Sequence, residues 1–333
     1  MSSKYKELRG PLLRAVSRSF YLSLRILPAA LRDPLSLGYL LARATDTIAD
    51  TAEPPVELRI NALRVLAAAI QEKDAGEAVK RLPETFAPLQ TDSAERMLIE
   101  KLPVLLEWLG ELTPSDRAEV QAVLVKINRG QMLDLQRFGG GGEIRALATA
   151  AELDEYTYLV AGCVGEFWTQ LCFAHLQKFA DRPEAEMREF GVRYGQGLQL
   201  INILRDAGND LRQGRCYFPE DELRSLGLNP NDVLREPVRT EPVLARWREK
   251  AQGGIDAGMD YACAIRNRRV RFATALPALI GARTLSLLRE ASAEAVTRRV
   301  KVPRAEVRRM ISSAVLASPK SLRAKFEKLQ ARR

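Results

Sequence analysis

The sequence predicts an all-α protein in which residues 1–333 form a single domain, a helical bundle. The 333-residue chain is 46% hydrophobic but only 6% aromatic. Apolar residues recur at intervals of three and four over long segments, which is typical of helices that bury one face. Runs of alternating β-branched residues, which would indicate strands, are few. A chain of this length can bury a large core.

The helical periodicity is clearest in five segments. They cover residues 35–50, 96–112, 118–138, 156–176 and 192–211. Clusters of Gly, Pro and Asp predict the breaks between helices. These clusters lie at 33–36, 53–55, 113–116, 139–143, 181–184, 227–232 and 235–242. None resembles a long interdomain linker, so we expect roughly ten helices in one domain.

The chain is basic, with a formal net charge of +9 and an isoelectric point near 9.5. This charge suits nucleic acid, an anionic membrane surface or an anionic small substrate. No nucleic-acid recognition motif or aromatic–basic interleaving is present, so nucleic acid is not an expected partner. The basic C-terminal tail, about 317–333, is interpreted either as a solvated helical end or as a contact for membrane or phosphate.

Cysteine and histidine usage argues against a zinc site. The four cysteines show no CxxC spacing, and His175 is the only histidine. The first residues lack the apolar core of a secretory leader, and no apolar run is long enough to span a bilayer. We therefore expect a cytoplasmic protein with reduced thiols.

Two pairs of aspartates are the main candidates for function. Asp46 and Asp50 lie four residues apart, as do Asp206 and Asp210, so each pair occupies one face of a predicted helix. Both helices are otherwise apolar, and a buried carboxylate without a partner is costly. Gly208 inside the second pair costs about 1 kcal/mol of helix propensity, which is tolerable if something approaches the backbone there.

Polar side chains extend both faces towards the N-terminus. Arg43 precedes Asp46 by three residues, and Gln199 and Asn202 continue the stripe of Asp206 and Asp210. The simpler interpretation is that these are surface acids paired with Arg43, Arg205 or Arg212. The functional interpretation is a central cavity with acids on two facing walls.

Such a cavity would bind a hard cation, because every candidate ligand is an oxygen atom. Mg²⁺ usually bridges one or two carboxylates to substrate phosphates, so a diphosphate is the natural substrate. Nearby basic side chains would balance its charge, namely Arg18, Arg43, Arg205 and Arg215. Apolar walls would hold a hydrocarbon chain.

Four segments, in order, resemble the squalene and phytoene synthase family. They are SRSFYLSLRILP at 17–28, ARATDTIADT at 42–51, YTYLVAGCVGEFW at 156–168 and LQLINILRDAGNDLRQGRCYFP at 198–219. The resemblance extends from about residue 10 to 315. It implies the all-α isoprenoid synthase fold with its central cavity.

The resemblance also implies roles for individual residues. Asp46, Asp50, Asp206 and Asp210, with Asn202, match the ligands of the Mg²⁺ ions that hold the diphosphate. Tyr156 matches a tyrosine implicated in proton handling. The family positions that line the diphosphate end are matched by Arg18, Ser19, Arg43, Gln199, Asn202, Arg205 and Arg215.

The implied reaction joins two isoprenyl diphosphates head to head through a cyclopropylcarbinyl diphosphate. Reduction by NADPH then gives squalene, whereas proton loss gives dehydrosqualene or phytoene. The basic segment at 298–310 is similar to one in squalene synthases, where Lys301 would meet the phosphates of NADPH. Squalene synthase is therefore favoured, with a phytoene or dehydrosqualene synthase as the alternative.

Two further expectations concern partners. A catalytically silent, membrane-associated relative is a third interpretation, but it predicts eroded acids, and all four aspartates are present. The basic surface and the oily product suggest peripheral association with the inner face of the membrane. No feature of the sequence indicates an oligomeric interface.

Overall fold

A computed structural model describes residues 5–17, 20–72, 76–139 and 142–331. Helices dominate these residues, which confirms the predicted all-α class. The chain divides into two compact units: residues 1–140 with 170–175, and residues 141–169 with 176–333. The proposal of one domain around a central cavity stays a prediction.

The first unit contains eight α-helices within its described residues. A π-helical turn, Leu8–Leu12, precedes them. The helices are α1 (Leu13–Ser17), α2 (Phe20–Ile26), α3 (Ala29–Asp50), α4 (Val56–Ile70), α5 (Gly76–Phe86), α6 (Ser93–Glu100), α7 (Leu102–Glu111) and α8 (Pro114–Phe138). Helix α3 packs against α4, α6, α7 and α8, so it forms the centre of this unit.

Helix α3 forms because its apolar residues follow a helical stripe. Leu37, Leu40, Leu41, Ala44 and Ile48 are fully buried, and burial of a leucine side chain contributes about 2 kcal/mol. The same helix carries the first aspartate pair on its accessible side.

The predicted break at 33–36 is wrong, because α3 runs through Pro34. The proline removes one backbone hydrogen bond, but it lies in the second turn and is buried. Its apolar contacts offset that loss. The predicted break at 235–242 is also largely wrong, because α14 begins at Pro237 and contains Pro242.

The second unit is built around the 29-residue helix α11. Its described elements are β1 (Arg145–Leu147), α9 (Ala150–Thr157), a π-helical segment (Tyr158–Gly162), α10 (Cys163–His175, whose last residues belong to the first unit), α11 (Glu184–Arg212), β2 (Arg215–Pro219), α12 (Glu220–Ser225), α13 (Asp232–Arg235), α14 (Pro237–Ala264), α15 (Arg268–Ala291), a 3-10 turn (Ser292–Val296), α16 (Arg304–Ala314) and α17 (Pro319–Gln330). Strands β1 and β2 pair in parallel.

Glycines allow α11 to approach its neighbours closely. A Cβ atom on Gly165 of α10 would lie 1.9 Å from the Gly191 carbonyl oxygen, and one on Gly195 would lie 2.2 Å from that of Ala161. No side chain fits at such distances. The motif YTYLVAGCVGEFW, which begins at Tyr156, therefore forms a backbone-to-backbone seam with α11 through its glycines.

The basic C-terminal tail folds as helix α17. Its Leu322 and Phe326 are each 1% exposed, and the helix packs on α14 and α15. Its lysines therefore lie on the outer side of a packed helix. None of the helices within the described ranges is long and apolar enough to cross a bilayer.

Candidate functional site

The first candidate site lies on the accessible face of α3. Arg43 donates through Nη1 to Asp46 Oδ2 at 2.5 Å and through Nη2 to Glu95 of α6. Glu95 is fixed because Asp92 caps α6 and accepts from its backbone N–H. Asp50 lies one turn beyond Asp46 and is exposed. Arg43 thus pairs with two carboxylates of the first unit, Asp46 and Glu95.

The ionisation of Asp46 is disfavoured at this site. Burial and the neighbouring Asp50 raise the pKa of Asp46 to about 7, against the lowering effect of Arg43. Yet 41% of the Asp46 side chain remains accessible, so the carboxyl group lies in a recess that water can reach. A cation there would relieve the repulsion between the two aspartates.

The Asp46→Asn variant is expected to be more stable than the parent protein at pH 8 without divalent metal. The pKa of Asp46 is higher in the folded state than its ordinary value of 3.8. Its contribution to the free energy of unfolding therefore falls as pH rises from about 4 to 7. For a carboxyl group this accessible, screening reduces the effect to about 1 kcal/mol.

The measurement is the midpoint of thermal unfolding in EDTA at pH 8 and pH 5. We expect Asp46→Asn to melt about 2 °C above the parent at pH 8 and the difference to shrink at pH 5. An equal or lower midpoint at pH 8 would contradict the unfavourable ionisation of Asp46 in the folded protein.

The second candidate site is the polar stripe of α11. Arg205 donates to both carboxylate oxygens of Asp206, through Nε at 3.0 Å and through Nη2. Asn202 donates to Gln199 Oε1 at 3.3 Å. Asp210 is half-buried one turn beyond Asp206. The predicted stripe is therefore present, with its amides and its first acid already oriented by neighbours.

Gly208 permits a close approach to α11, as its position in the stripe suggested. A Cβ atom there would lie 1.8 Å from the carbonyl oxygen of Val296. The approaching group is thus the 3-10 turn of the chain itself. This contact brings the segment after the turn beside Asp206.

Tyr156 stacks on a second tyrosine that the sequence interpretation did not single out. The rings of Tyr156 and Tyr217 lie 5.0 Å apart between centroids, and their hydroxyl oxygens are 3.4 Å apart. Tyr217 belongs to β2 and is 7% exposed. Its only signal in the sequence is its place in RCYFP, within the fourth motif.

The other predicted residues lie in different settings. Arg215 begins β2 opposite Arg145 of β1. Lys301 is exposed between the buried Val300 and Val302, so its side chain is held outward. Arg18 and Ser19 lie outside the described residues.

The carboxylate pairs suit Mg²⁺ better than a closed metal site. Within the ranges that the structure describes, no three Asp, Glu, His or Cys side chains form a group that could hold a metal ion. Mg²⁺ needs no such cage, because water and substrate phosphates complete its ligand shell. Oxygen donors in pairs, and an acid whose pKa is raised by burial and by its neighbour, fit this ion. Binding by Asp46, Asp50, Asn202, Asp206 and Asp210 stays a prediction.

Ion pairing alone does not decide whether the aspartates are surface acids paired with arginines or the acids of a functional site. Asp46 and Asp206 are paired with Arg43 and Arg205, as the simpler interpretation predicts. An exposed acid with its own arginine, however, would have a lowered pKa. The pKa of Asp46 is instead raised, first by burial and then by Asp50, a combination that is typical of carboxylates at functional sites.

Known proteins that are similar to this chain indicate its family. The profile of the squalene/phytoene synthase family matches residues 13–306. The bifunctional lycopene cyclase/phytoene synthase of Colletotrichum graminicola is 29% identical over 228 residues, covering 66% of this chain and 35% of that protein. Squalene synthase ERG9 of Saccharomyces cerevisiae is 28% identical over 213 residues, covering 63% of this chain and 44% of that protein. The chain thus spans less than half the length of these two relatives.

A solved structure extends the likeness to the fold. The complex of TcSQS with the ligand BPH1237 aligns with a TM-score of 0.81 at 20% identity, over 99% of this chain and 91% of that chain. The protein therefore has the all-α isoprenoid synthase fold. Because the family profile covers most of its length, the chain belongs to the squalene/phytoene synthase family.

Proposed function

We propose that the protein is a squalene synthase that uses Mg²⁺ and NADPH and takes farnesyl diphosphate as its substrate. The observation that carries the proposal is the acid pair of α3. Asp46 and Asp50 lie one turn apart on one helix face, and burial and the neighbouring Asp50 raise the pKa of Asp46, an effect that a bound cation would oppose. Family members are prenyltransferase-type enzymes acting on isoprenyl diphosphates, whose phosphates supply the remaining ligands of such a cation.

We assign residues to each step of the first stage, in which the two substrates are joined. The aspartates would hold Mg²⁺, which when bound would supply positive charge to the departing diphosphate. Arg43 and Arg205 keep Asp46 and Asp206 oriented before substrate arrives. The C–O bond of one substrate breaks, the double bond of the second attacks the allylic carbon, and a proton is lost as the cyclopropane closes. Tyr156, with Tyr217 against it, is the proposed group for handling that proton.

The second stage separates squalene synthase from the alternative. Loss of the second diphosphate leaves a cation, which takes hydride from NADPH to give squalene or loses a proton to give a triene. The outward position of Lys301 favours the first outcome, because it presents a cation to a soluble dinucleotide. The similarity to phytoene synthases favours a phytoene or dehydrosqualene synthase. Product analysis therefore has to distinguish reduction by NADPH from loss of a proton.

The decisive experiment is product analysis with farnesyl diphosphate and Mg²⁺, with and without NADPH. Squalene that appears only with NADPH is the expected result. A triene under both conditions would identify a dehydrosqualene synthase, and product from geranylgeranyl diphosphate alone would identify a phytoene synthase. No product from either substrate would favour the silent relative.

We also propose that the second unit touches an anionic membrane surface. Val315 and Leu316, between α16 and α17, are 47% and 77% exposed. This connection lies beside the end of α14, because Cys263 Sγ donates to the Pro319 carbonyl at 3.5 Å. Helix α15 starts there with two exposed arginines, Arg268 and Arg269. An apolar tip among basic side chains suits anionic lipid.

Leu316→Glu is expected to reduce binding to phosphatidylglycerol vesicles at least about threefold, because it replaces an inserting side chain by a charge. Co-sedimentation is the measurement. Val238→Glu is the matched control, since Val238 is also 77% exposed but lies at the start of α14. Equal loss in both variants, or equal binding to neutral phosphatidylcholine vesicles, would contradict the proposed surface.

A further inference from the structure

The last turn of α3 is destabilised by its own acids. Asp46 and Asp50 lie four residues apart, so two like charges adjoin across this turn when both are ionised. Acidic side chains at the C-terminal end of a helix also oppose its dipole, and residues 47–50 include no lysine or arginine that would offset them. Asp50 is the last helical residue and is exposed. Such a helix end frays unless other groups hold it.

Buried side chains from outside the helix hold this turn. The carbonyl groups of the last four residues of a helix lack intrahelical donors. The Thr51 hydroxyl donates to the Thr47 carbonyl at 2.7 Å, and Arg59 of α4 donates through Nη1 to the Ala49 carbonyl at 2.9 Å. Both donor side chains are buried. The first carbonyl belongs to the residue after the first aspartate, and the second carbonyl belongs to the residue before the second aspartate.

Gln90 extends this network to two further helices. It lies between α5 and α6 and is buried, and its side-chain amide donates through Nε2 to Thr51 Oγ1 and to the Phe86 carbonyl, both at 2.9 Å. Its backbone carbonyl accepts from Arg96 of α6 at 2.8 Å. The end of α5 and the start of α6 therefore fix Gln90, which in turn fixes Thr51. We call Thr51, Arg59 and Gln90 the α3 clamp; all three belong to the first unit.

Gln90 acts on the aspartates through the backbone of α3. It is uncharged, and both hydrogens of its amide nitrogen are donated, one to Thr51 and one to Phe86. A neutral replacement of Gln90 therefore leaves the charge of the acid pair as it is. A change in metal binding would then reflect the geometry of α3.

We propose that Gln90 is a positioning residue, which through Thr51 keeps the last turn of α3 wound so that Asp46 and Asp50 face one cation together. The inference rests on the proposed function, in which this acid pair binds Mg²⁺. The alternative is that the α3 clamp contributes only to the stability of the first unit. The two differ in metal affinity, because a site that needs a wound turn loses apparent affinity in proportion to the fraction of molecules in which the turn is unwound.

The test is Gln90→Met, which keeps the length of the side chain and removes both donors. Mn²⁺ is the probe in place of Mg²⁺, and electron paramagnetic resonance of the free ion gives its Kd without substrate or turnover. The part of the binding that Asp46→Asn abolishes defines the α3 site. We expect Gln90→Met to raise the Kd of this site at least about threefold, because fewer molecules have the wound turn.

Hydrogen exchange in EDTA tests the clamp without metal. Loss of a buried hydrogen bond should speed amide exchange at residues 47–51 about fivefold. Exchange at residues 36–42, in the middle of α3, should not change.

Gln121→Met is the matched control. Gln121 of α8 donates through Nε2 to the carbonyl of Ile70, the last residue of α4, at 2.8 Å, so it also holds the end of a helix. This end lies about 20 Å along α4 from its first residue, Val56, which follows the acid pair closely in sequence. The control should leave the Kd for Mn²⁺ within about 1.5-fold, because distant sites are independent.

Thr51→Val is a second variant, because valine keeps the shape of threonine and removes the hydroxyl that links Gln90 to α3. It should also raise the Kd, and it decides the question if circular dichroism shows that Gln90→Met does not fold. An unchanged Kd with faster exchange would mean that the clamp is purely structural and would overturn the positioning role alone. Equal weakening in Gln121→Met would do the same. Absence of Mn²⁺ binding in the parent protein would instead overturn the metal site, and with it both the proposed function and this inference.

Discussion

Asp46→Asn and Asp206→Asn are each expected to lower the turnover number about 1,000-fold while the protein stays folded. Each change keeps the side-chain volume and removes one negative oxygen ligand from a proposed Mg²⁺ site. Loss of one group that stabilises transition-state charge typically costs 100- to 1,000-fold in rate. The upper end is expected because a displaced ion also leaves the diphosphate without its neutralising charge.

Steady-state turnover of farnesyl diphosphate at saturating Mg²⁺ checks this expectation, with circular dichroism to confirm folding. Glu77→Gln is the matched control, because it removes an acid whose ion pair with Lys80 is exposed on both sides. The control should keep its activity within about twofold. Full activity in both aspartate variants would remove the metal assignment, and a loss in only one would confine it to that helix.

The helices could be predicted because their apolar periodicity is local information. The stripe of α3 and the polar face of α11 are visible at spacings of three and four residues. The predicted break at 33–36 is wrong because Pro34 lies inside a buried turn of α3. Its local cost is offset by burial against distant residues, which the local pattern does not contain.

The acids of the candidate site could be predicted for the same reason, whereas their partners could not. Asp46 and Asp50 share a helical face whatever the tertiary structure. Glu95 reaches Arg43 from 52 residues away, and Tyr217 reaches Tyr156 from 61 residues away. Such pairs depend on how helices pack. The sequence around each partner also has another explanation. Glu95 follows Asp92, which caps α6, and Tyr217 belongs to the segment RCYFP of the fourth motif.

The glycine seam between α10 and α11 could be predicted only in part. The glycines of VAGCVGEF and GVRYGQG can be seen in the sequence, but only the structure pairs them. Gly165 meets Gly191, and Gly195 meets Ala161. The seam fixes the segment that follows Tyr156 against α11, the helix that carries the acid stripe. Packing and the candidate chemistry therefore depend on the same small residues.

Gly165→Ala is expected to lower the free energy of unfolding by about 3 kcal/mol, the upper end of the usual cost of overpacking. The new methyl group would lie 1.9 Å from the Gly191 carbonyl oxygen, and backbone atoms cannot yield as a flexible side chain can. Denaturant unfolding at 25 °C is the measurement. Gly253→Ala is the control, because a Cβ atom on Gly253 of α14 meets nothing within 4 Å and alanine favours a helix by up to about 1 kcal/mol. Opposite signs for the two variants would establish the seam, and a neutral Gly165→Ala would show that α10 and α11 can separate at no cost.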